Sequence, residues 1–190
     1  MTVRIASLLL LVLVSSSLQG CFPVVAAGVG AGAMMAPDPR GRDIFFEDQQ
    51  IEATAVEQID KQFHSPMHVN VTSYNHSVLI SGEVPDEATK GEVGKIVSNI
   101  GNVRNVNNDL AVSTISSLAS RSHDALITSN VRLRFANDIR FDADDIKVVT
   151  ENGTVYLMGL VKHAAADAAS ELTSTTKGVQ RVMRMFEYVD

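Results

Sequence analysis

Residues 146–161 read IKVVTENGTVYLMGLV. Ile146 and Val148, then Val155 and Leu157, put apolar side chains at every second position, the period of a strand with one face toward a core. Asn152-Gly153 stands between the two runs, and Asn-Gly in that setting is the strongest short hairpin signal. The same text occurs earlier, as VNVTSYNHSVLISGEV at residues 69–84, with Tyr74-Asn75-His76-Ser77 as its turn. At an offset of 77, Val71 meets Val148, Asn75 meets Asn152, Val78 meets Val155, Gly82 meets Gly159 and Val84 meets Val161. At an offset of 76, Val103-Arg104-Asn105-Val106 meets Val179-Gln180-Arg181-Val182, each run following a glycine, Gly101 or Gly178. The chain is an internal duplication.

Outward from each hairpin the pattern repeats. A helical run, Asp48 to Phe63, opens the first copy. Pro85-Asp86-Glu87 starts a second helix, with acids near its positive end, running to about Asn99. A last strand covers about 103–112. In the second copy the corresponding helix is about 163–176 and the strand about 179–189. The expected fold is α+β: two tandem αββαβ units of about 65 residues, each a three-stranded sheet with two helices on one face. A unit this small is marginal alone, so the copies are expected to pack together. Gly82, Gly101, Gly159 and Gly178 are read as structural, Gly82 and Gly159 marking a bulge or close helix approach. The expected boundaries are 1–20 signal peptide, 21–46 lipidated cysteine and tether, 47–113 first domain, 114–122 linker and 123–190 second domain.

The N-terminus reads as an address. Arg4 precedes an apolar run, residues 5–14, too short to span a membrane, which takes about 20 residues. Leu18-Gln19-Gly20-Cys21 resembles a bacterial lipobox, which implies cleavage before Cys21, the chain's one cysteine, and acylation of its sulfur. Phe22 rather than Asp in the next position implies export to the outer membrane. Residues 22–36 are small, apolar and Gly-rich and read as a tether. Their G-x-G-x-G run has neither a strand before it nor a helix after it, so it does not read as a phosphate loop.

Catalytic and metal chemistry is missing. The net charge of −6 argues against a nucleic-acid binder. His64 and His68 have the i,i+4 spacing of helical metal ligands, but Pro66 lies between them, and no second cysteine or third histidine supports a zinc site. Asp142, Asp144 and Asp145 lack the Gly and Glu of a calcium loop. No nucleophile elbow is present. The expectation is a protein that is not an enzyme and has no metal site and no cofactor.

Two such units behind a lipobox resemble the dual BON-domain lipoproteins of Gram-negative outer membranes. The residues that carry the resemblance are Leu18-Gln19-Gly20-Cys21, Asp38-Pro39-Arg40, Val69-Asn70-Val71-Thr72 with Tyr74, Thr150-Glu151-Asn152-Gly153, Leu157-Met158-Gly159-Leu160-Val161, and Gly178-Val179 with Arg181-Val182. The resemblance implies a non-enzymatic lipoprotein, facing the periplasm, that binds anionic phospholipid of the phosphatidylglycerol kind through its second domain. It also implies a role in outer-membrane integrity at the division site. In the family's lipid binder the first helix of the second domain meets the membrane through a tryptophan; Leu126 stands at that position and the chain has no Trp.

The residues of that helix support such a role independently. At 100° per residue Ile127, Val131 and Phe135 form a core stripe, and Leu126 and Leu133 fall together on the far side, beside Asn130 and bracketed by Arg132 and Arg134. Leucines with bracketing arginines suit a headgroup interface. The expected lipid-binding residues are Leu126, Ile127, Asn130, Arg132, Leu133 and Arg134. The first helix of the first copy carries Asp48, Glu52, Glu57 and Asp60 against Lys61, the wrong sign for an anionic surface. Two alternatives stay open: the leucines pack against the first domain, or the chain is a periplasmic adaptor for envelope-assembly, division or peptidoglycan-hydrolase proteins.

Overall fold

The computed structural model describes residues 38–190; the signal segment, Cys21 and the Gly-rich stretch lie outside them. The first domain runs α1 (Arg42–Gln62), β1 (His68–Tyr74), β2 (Ser77–Val84), α2 (Glu87–Ser98), β3 (Asn105–Asn108) and β4 (Ala111–Val112). The second runs α3 (Leu118–Ala136), a 3₁₀ turn (Ala143–Asp145), β5 (Ile146–Glu151), β6 (Thr154–Val161), α4 (His163–Ser174) and β7 (Arg181–Tyr188). Both are αββαβ. In each sheet the hairpin is antiparallel and the last strand lies parallel on the other edge of the central strand. In the first domain that last strand is interrupted at Asp109-Leu110, so β3 and β4 pair in turn with β2.

Both hairpins close on two residues with positive φ, Asn75 (50°) and His76 (66°) in one, Asn152 (47°) and Gly153 (72°) in the other. This is the mirror-image turn whose twist matches the strands. Each turn is held by a buried aspartate from the domain's first helix. Asp48 accepts from the backbone N–H groups of Asn75 and His76, both at 2.8 Å, and from the Ser73 hydroxyl at 2.6 Å. Asp124 accepts from the N–H groups of Asn152 at 2.9 Å and Gly153 at 2.8 Å. Charge-assisted bonds of this kind satisfy turn amides that the ladder leaves free. They also fix the helix on the sheet, so that Ile51, Ala55 and Ile59 face Val78, Ile80 and Val84, and Ile127, Val131 and Phe135 face Val148, Val155 and Leu157.

The central strands are buried on both faces, not half-buried as their alternation suggests. The reason is tertiary. The face of each sheet away from its helices meets the other sheet, and Tyr74 and Leu79 pack with Tyr156 and Met158, supported by Val149, Leu160, Met183 and Met185. Polar contacts ring this apolar centre. The Tyr156 hydroxyl donates to Asp109 at 2.6 Å, the Tyr74 hydroxyl to the Asp145 carbonyl at 3.1 Å, and Lys147 pairs with Glu52 at 2.7 Å. Burial pushes the Tyr74 hydroxyl up to about 12. Burial likewise holds the Glu151 carboxyl above the ordinary carboxylate range, against the Asn70 amide that donates to it.

Several boundaries differ from the sequence reading. α1 begins at Arg42, inside the expected tether of residues 21–46. Arg40 pairs with Asp38 at 2.7 Å and Asp48 at 2.8 Å and lies over the Tyr74 ring, which draws this stretch onto the domain. α3 begins at Leu118, inside the expected linker of residues 114–122, because Ser117 caps it by accepting from the Ser120 N–H. Gly82 has φ of 116°, and a Cβ there would lie 2.1 Å from the His68 carbonyl. At Gly159 the Asp145 carbonyl stands 2.8 Å from the same point. Strand backbone crowds Gly82, and the end of the 3₁₀ turn crowds Gly159. A helix does approach Gly178, through Ile127. Gly101 meets nothing, and the left-handed residue at that helix end is Asn102 (φ 68°), so glycine is not required at 101.

The aspartate clamp gives a direct test. Asp124→Ala leaves two turn amides without their acceptor and is expected to cost about 2–4 kcal/mol. Asp60→Ala, on the exposed side of α1, is expected to stay within about 0.5 kcal/mol. The urea midpoint of each variant reads the difference.

Candidate functional site

α3 packs on the second sheet through Ile127, Val131 and Phe135. This divides the expected lipid-binding residues. Ile127 is 1 % exposed and belongs to the core, so its place in that set is corrected: a side chain seated against Val148 and Leu157 cannot reach a membrane. Leu126 and Leu133 are 62 % and 68 % exposed. Neither packs against the first domain, because the contact between domains is made by the sheets' second faces, on the other side of the molecule's second core.

Folding extends the exposed leucine stripe beyond what was read from sequence. The early start of α3 adds Leu118, 76 % exposed. At 100° per residue Leu118, Leu126 and Leu133 lie within about 80° of one another. Ile139, just past the helix end, is fully exposed as well. The Ser117 cap was the sequence signal for Leu118; nothing local marked Ile139, which lies outside any periodic run.

The polar residues sort differently. Asn130 is exposed and lines, with Leu133, Arg134, Asn137 and Lys177, an open groove of about 580 Å³ between α3 and the end of α4. Arg134 is half-buried there, donating to the Leu172 carbonyl at 2.6 Å and the Thr176 hydroxyl at 2.7 Å. It therefore caps α4's last turn, where a cation is favoured, and its charge still faces the groove. Arg132 is exposed and donates to the Val148 carbonyl at 3.2 Å. Lys177 has no ion-pair partner among the described residues and was missed from sequence, since only the return of α4 brings it beside Leu133. Arg140 is engaged elsewhere, by Asp138 and Glu171; its guanidinium holds the Asp138 carboxyl below the ordinary range.

α1 shows the contrast. Phe46 and Val56 are exposed, but they stand among Asp43, Glu47, Glu57 and Asp60. Asp48 and Glu52 do not add to that surface charge, one gripping the hairpin and the other the Ser73 N–H and Lys147. Asp124 is similarly withdrawn in the second domain, which leaves the outward side of α3 cationic. No helix among the described residues is long and apolar enough to cross a membrane.

The BON domain model matches residues 47–114 and again residues 123–190. The chain belongs to the BON-domain family, as a dual-domain lipoprotein of DolP-like type. Over 176 residues it is 36 % identical to the outer membrane lipoprotein DolP of Haemophilus influenzae, covering 91 % of each chain. It is 27 % identical over 154 residues to a 21 kDa hemolysin of Actinobacillus pleuropneumoniae, covering 80 % of this chain and 79 % of that one. Among solved structures, the C-terminal domain of CdsD, a structural protein of the Chlamydia trachomatis type III secretion system, aligns with 70 % of this chain and 62 % of its own at 14 % identity and a TM-score of 0.27. So low a score carries no argument about the BON domains here.

Exposure of the stripe predicts its effect on stability. Leu126→Asp and Leu133→Asp are each expected to change the unfolding free energy by no more than about 0.5 kcal/mol. Ile127→Ala, one residue along, is expected to cost about 2–4 kcal/mol through lost core contact. Thermal unfolding followed by circular dichroism distinguishes them.

Proposed function

We propose that the chain is an outer-membrane lipoprotein, tethered through acylated Cys21 and facing the periplasm, whose second BON domain docks α3 onto anionic phospholipid. The observation that carries this reading is the pair of exposed leucines, Leu126 and Leu133, on a helix whose opposite side is already buried in a core. An apolar stripe facing water on a folded domain marks an interaction surface. Its flanks fit a membrane. Leu118, Leu126 and Leu133 would enter the acyl boundary, while Arg132, Arg134 and Lys177, with Asn130, would meet phosphate in the headgroup layer. Each leucine fully buried contributes about 1.5–3 kcal/mol, and each cation near an anionic surface about 1 kcal/mol. With the acyl anchor already holding the chain at a bilayer, these modest terms are enough to orient the domain.

Outer-membrane attachment is supported by the relative from Haemophilus influenzae, which is named for it and spans nearly the whole chain. Support of envelope integrity at the division site is the role the family resemblance implies for a protein so placed. On this reading the chain is not an enzyme: it acts by docking. A protein partner on the same stripe, in envelope assembly or division, is the alternative, and the test below separates the two.

The test uses the chain without its acyl groups and vesicles with and without phosphatidylglycerol. Binding is expected only to the anionic vesicles and is expected to weaken as salt rises, because screening acts on the exposed cations. The double variant Leu126→Asp/Leu133→Asp, with its fold intact, is expected to lose at least about tenfold in vesicle affinity. Unchanged binding by that variant removes α3 from the interface, and equal binding to neutral vesicles removes the electrostatic part.

A further inference from the structure

Between the two domains, at the rim of the sheet–sheet contact, His68, Glu83 and Glu151 converge. Among the described residues this is where three potential metal-ligating side chains come together, their ligand atoms all within 4.8 Å of one another. His68 opens β1 and Glu83 lies opposite it on β2, as register partners. Glu151 ends β5 of the other domain. His68 Nδ1 stands 3.1 Å from Glu83 Oε2 and 3.8 Å from Glu151 Oε1. Both carboxylates are buried and the imidazole nearly so.

We propose that these three side chains form a binding site for a divalent transition-metal ion of the zinc class, joining the two BON domains. Zinc bonds of about 2.0–2.2 Å to nitrogen and oxygen in a tetrahedron separate neighbouring ligand atoms by about 3.4 Å. The distances of 3.1 and 3.8 Å bracket that value, so small side-chain rotations suffice. Imidazole with carboxylates is a donor set that zinc accepts and that the harder magnesium and calcium ions seldom use.

The surroundings fit in charge and in support. The adjoining recess is lined by Asn70, Arg121, Asp124, Thr128 and Thr150 with His68 and Glu151. Glu83, Glu151 and Asp124 against Arg121 carry two net formal negative charges beside His68, which a divalent cation balances. Arg121 does not supply that balance by bonding, since it forms no ion pair and its Nε has no partner among the described residues. Outer contacts hold the ligands: the Ser116 N–H and hydroxyl donate to Glu83 Oε2 at 3.2 and 3.1 Å. The Asn70 Nδ2 donates to Glu151 Oε2 at 2.8 Å. Such contacts orient ligands and raise affinity. The i,i+4 reading of His64 with His68 looked along the chain, whereas the partners of His68 are 15 and 83 residues away.

The test is a calorimetric zinc titration of the full chain in detergent micelles after chelator treatment. One zinc per chain is expected, with a higher unfolding temperature. His68→Ala and Glu151→Gln are each expected to weaken binding at least about tenfold, and His64→Ala to leave it unchanged. Absence of stoichiometric uptake, or affinity unaltered in folded His68→Ala and Glu151→Gln, overturns the site. Should either variant fail to fold, zinc X-ray absorption on the unsubstituted chain decides: one imidazole with oxygen donors supports the site, and sulfur or a second imidazole overturns it.

Discussion

Each sheet of this protein has two apolar faces and only two helices, which cover one of them. The second faces can leave water only by meeting each other, and that meeting organises the rest of the molecule. Tyr74 and Leu79 against Tyr156 and Met158 bury what would otherwise be a large exposed patch on each small domain. The consequence reaches the helices. With the sheets back to back, every helix is placed on the outside, and the side of a helix away from its own sheet finds no second partner. On α3 that free side carries leucines.

The duplication shows which features the fold needs and which are free to diverge. Both copies keep the aspartate clamp on the hairpin, although one turn is Asn75-His76 and the other Asn152-Gly153. Both keep the three apolar positions behind it, Ile51, Ala55 and Ile59 in one helix and Ile127, Val131 and Phe135 in the other. The outward sides both expose apolar side chains but differ in the charge around them. α1 is acidic around Phe46 and Val56, while α3 presents leucines beside Arg132, Arg134 and Lys177. Burial of Asp48, Asp124 and most of Glu52 sharpens this contrast, because acids that count in the sequence do not all count at the surface.

The rim of the contact between domains is polar for a physical reason. Long sheets bury their middles, but strand ends and turns carry groups that must be hydrogen-bonded when water leaves. Tyr156 with Asp109, Lys147 with Glu52, and Asn75 and Arg104 with Glu187 meet that demand by pairing across the contact. At the remaining corner two buried carboxylates and an imidazole face one another, held by Ser116 and Asn70, which is the arrangement the proposed metal site would complete.

The chain's own pattern set the elements, their order and their duplication, because strand alternation, turn residues and helix periodicity are local properties. It also determined the core stripe of α3 and the leucines opposite it, since both follow from 100° per residue. The glycine at 82 was legible as structural, but its cause was not. Folding alone buries β2 and β6 twice over, makes Asp48 and Asp124 clamps rather than surface charges, and puts Ile127 out of a membrane's reach. It also placed Lys177 beside Leu133 and His68 between glutamates from two strands of different domains. These are meetings of residues far apart in the chain, and a local period carries no record of which distant face will cover it.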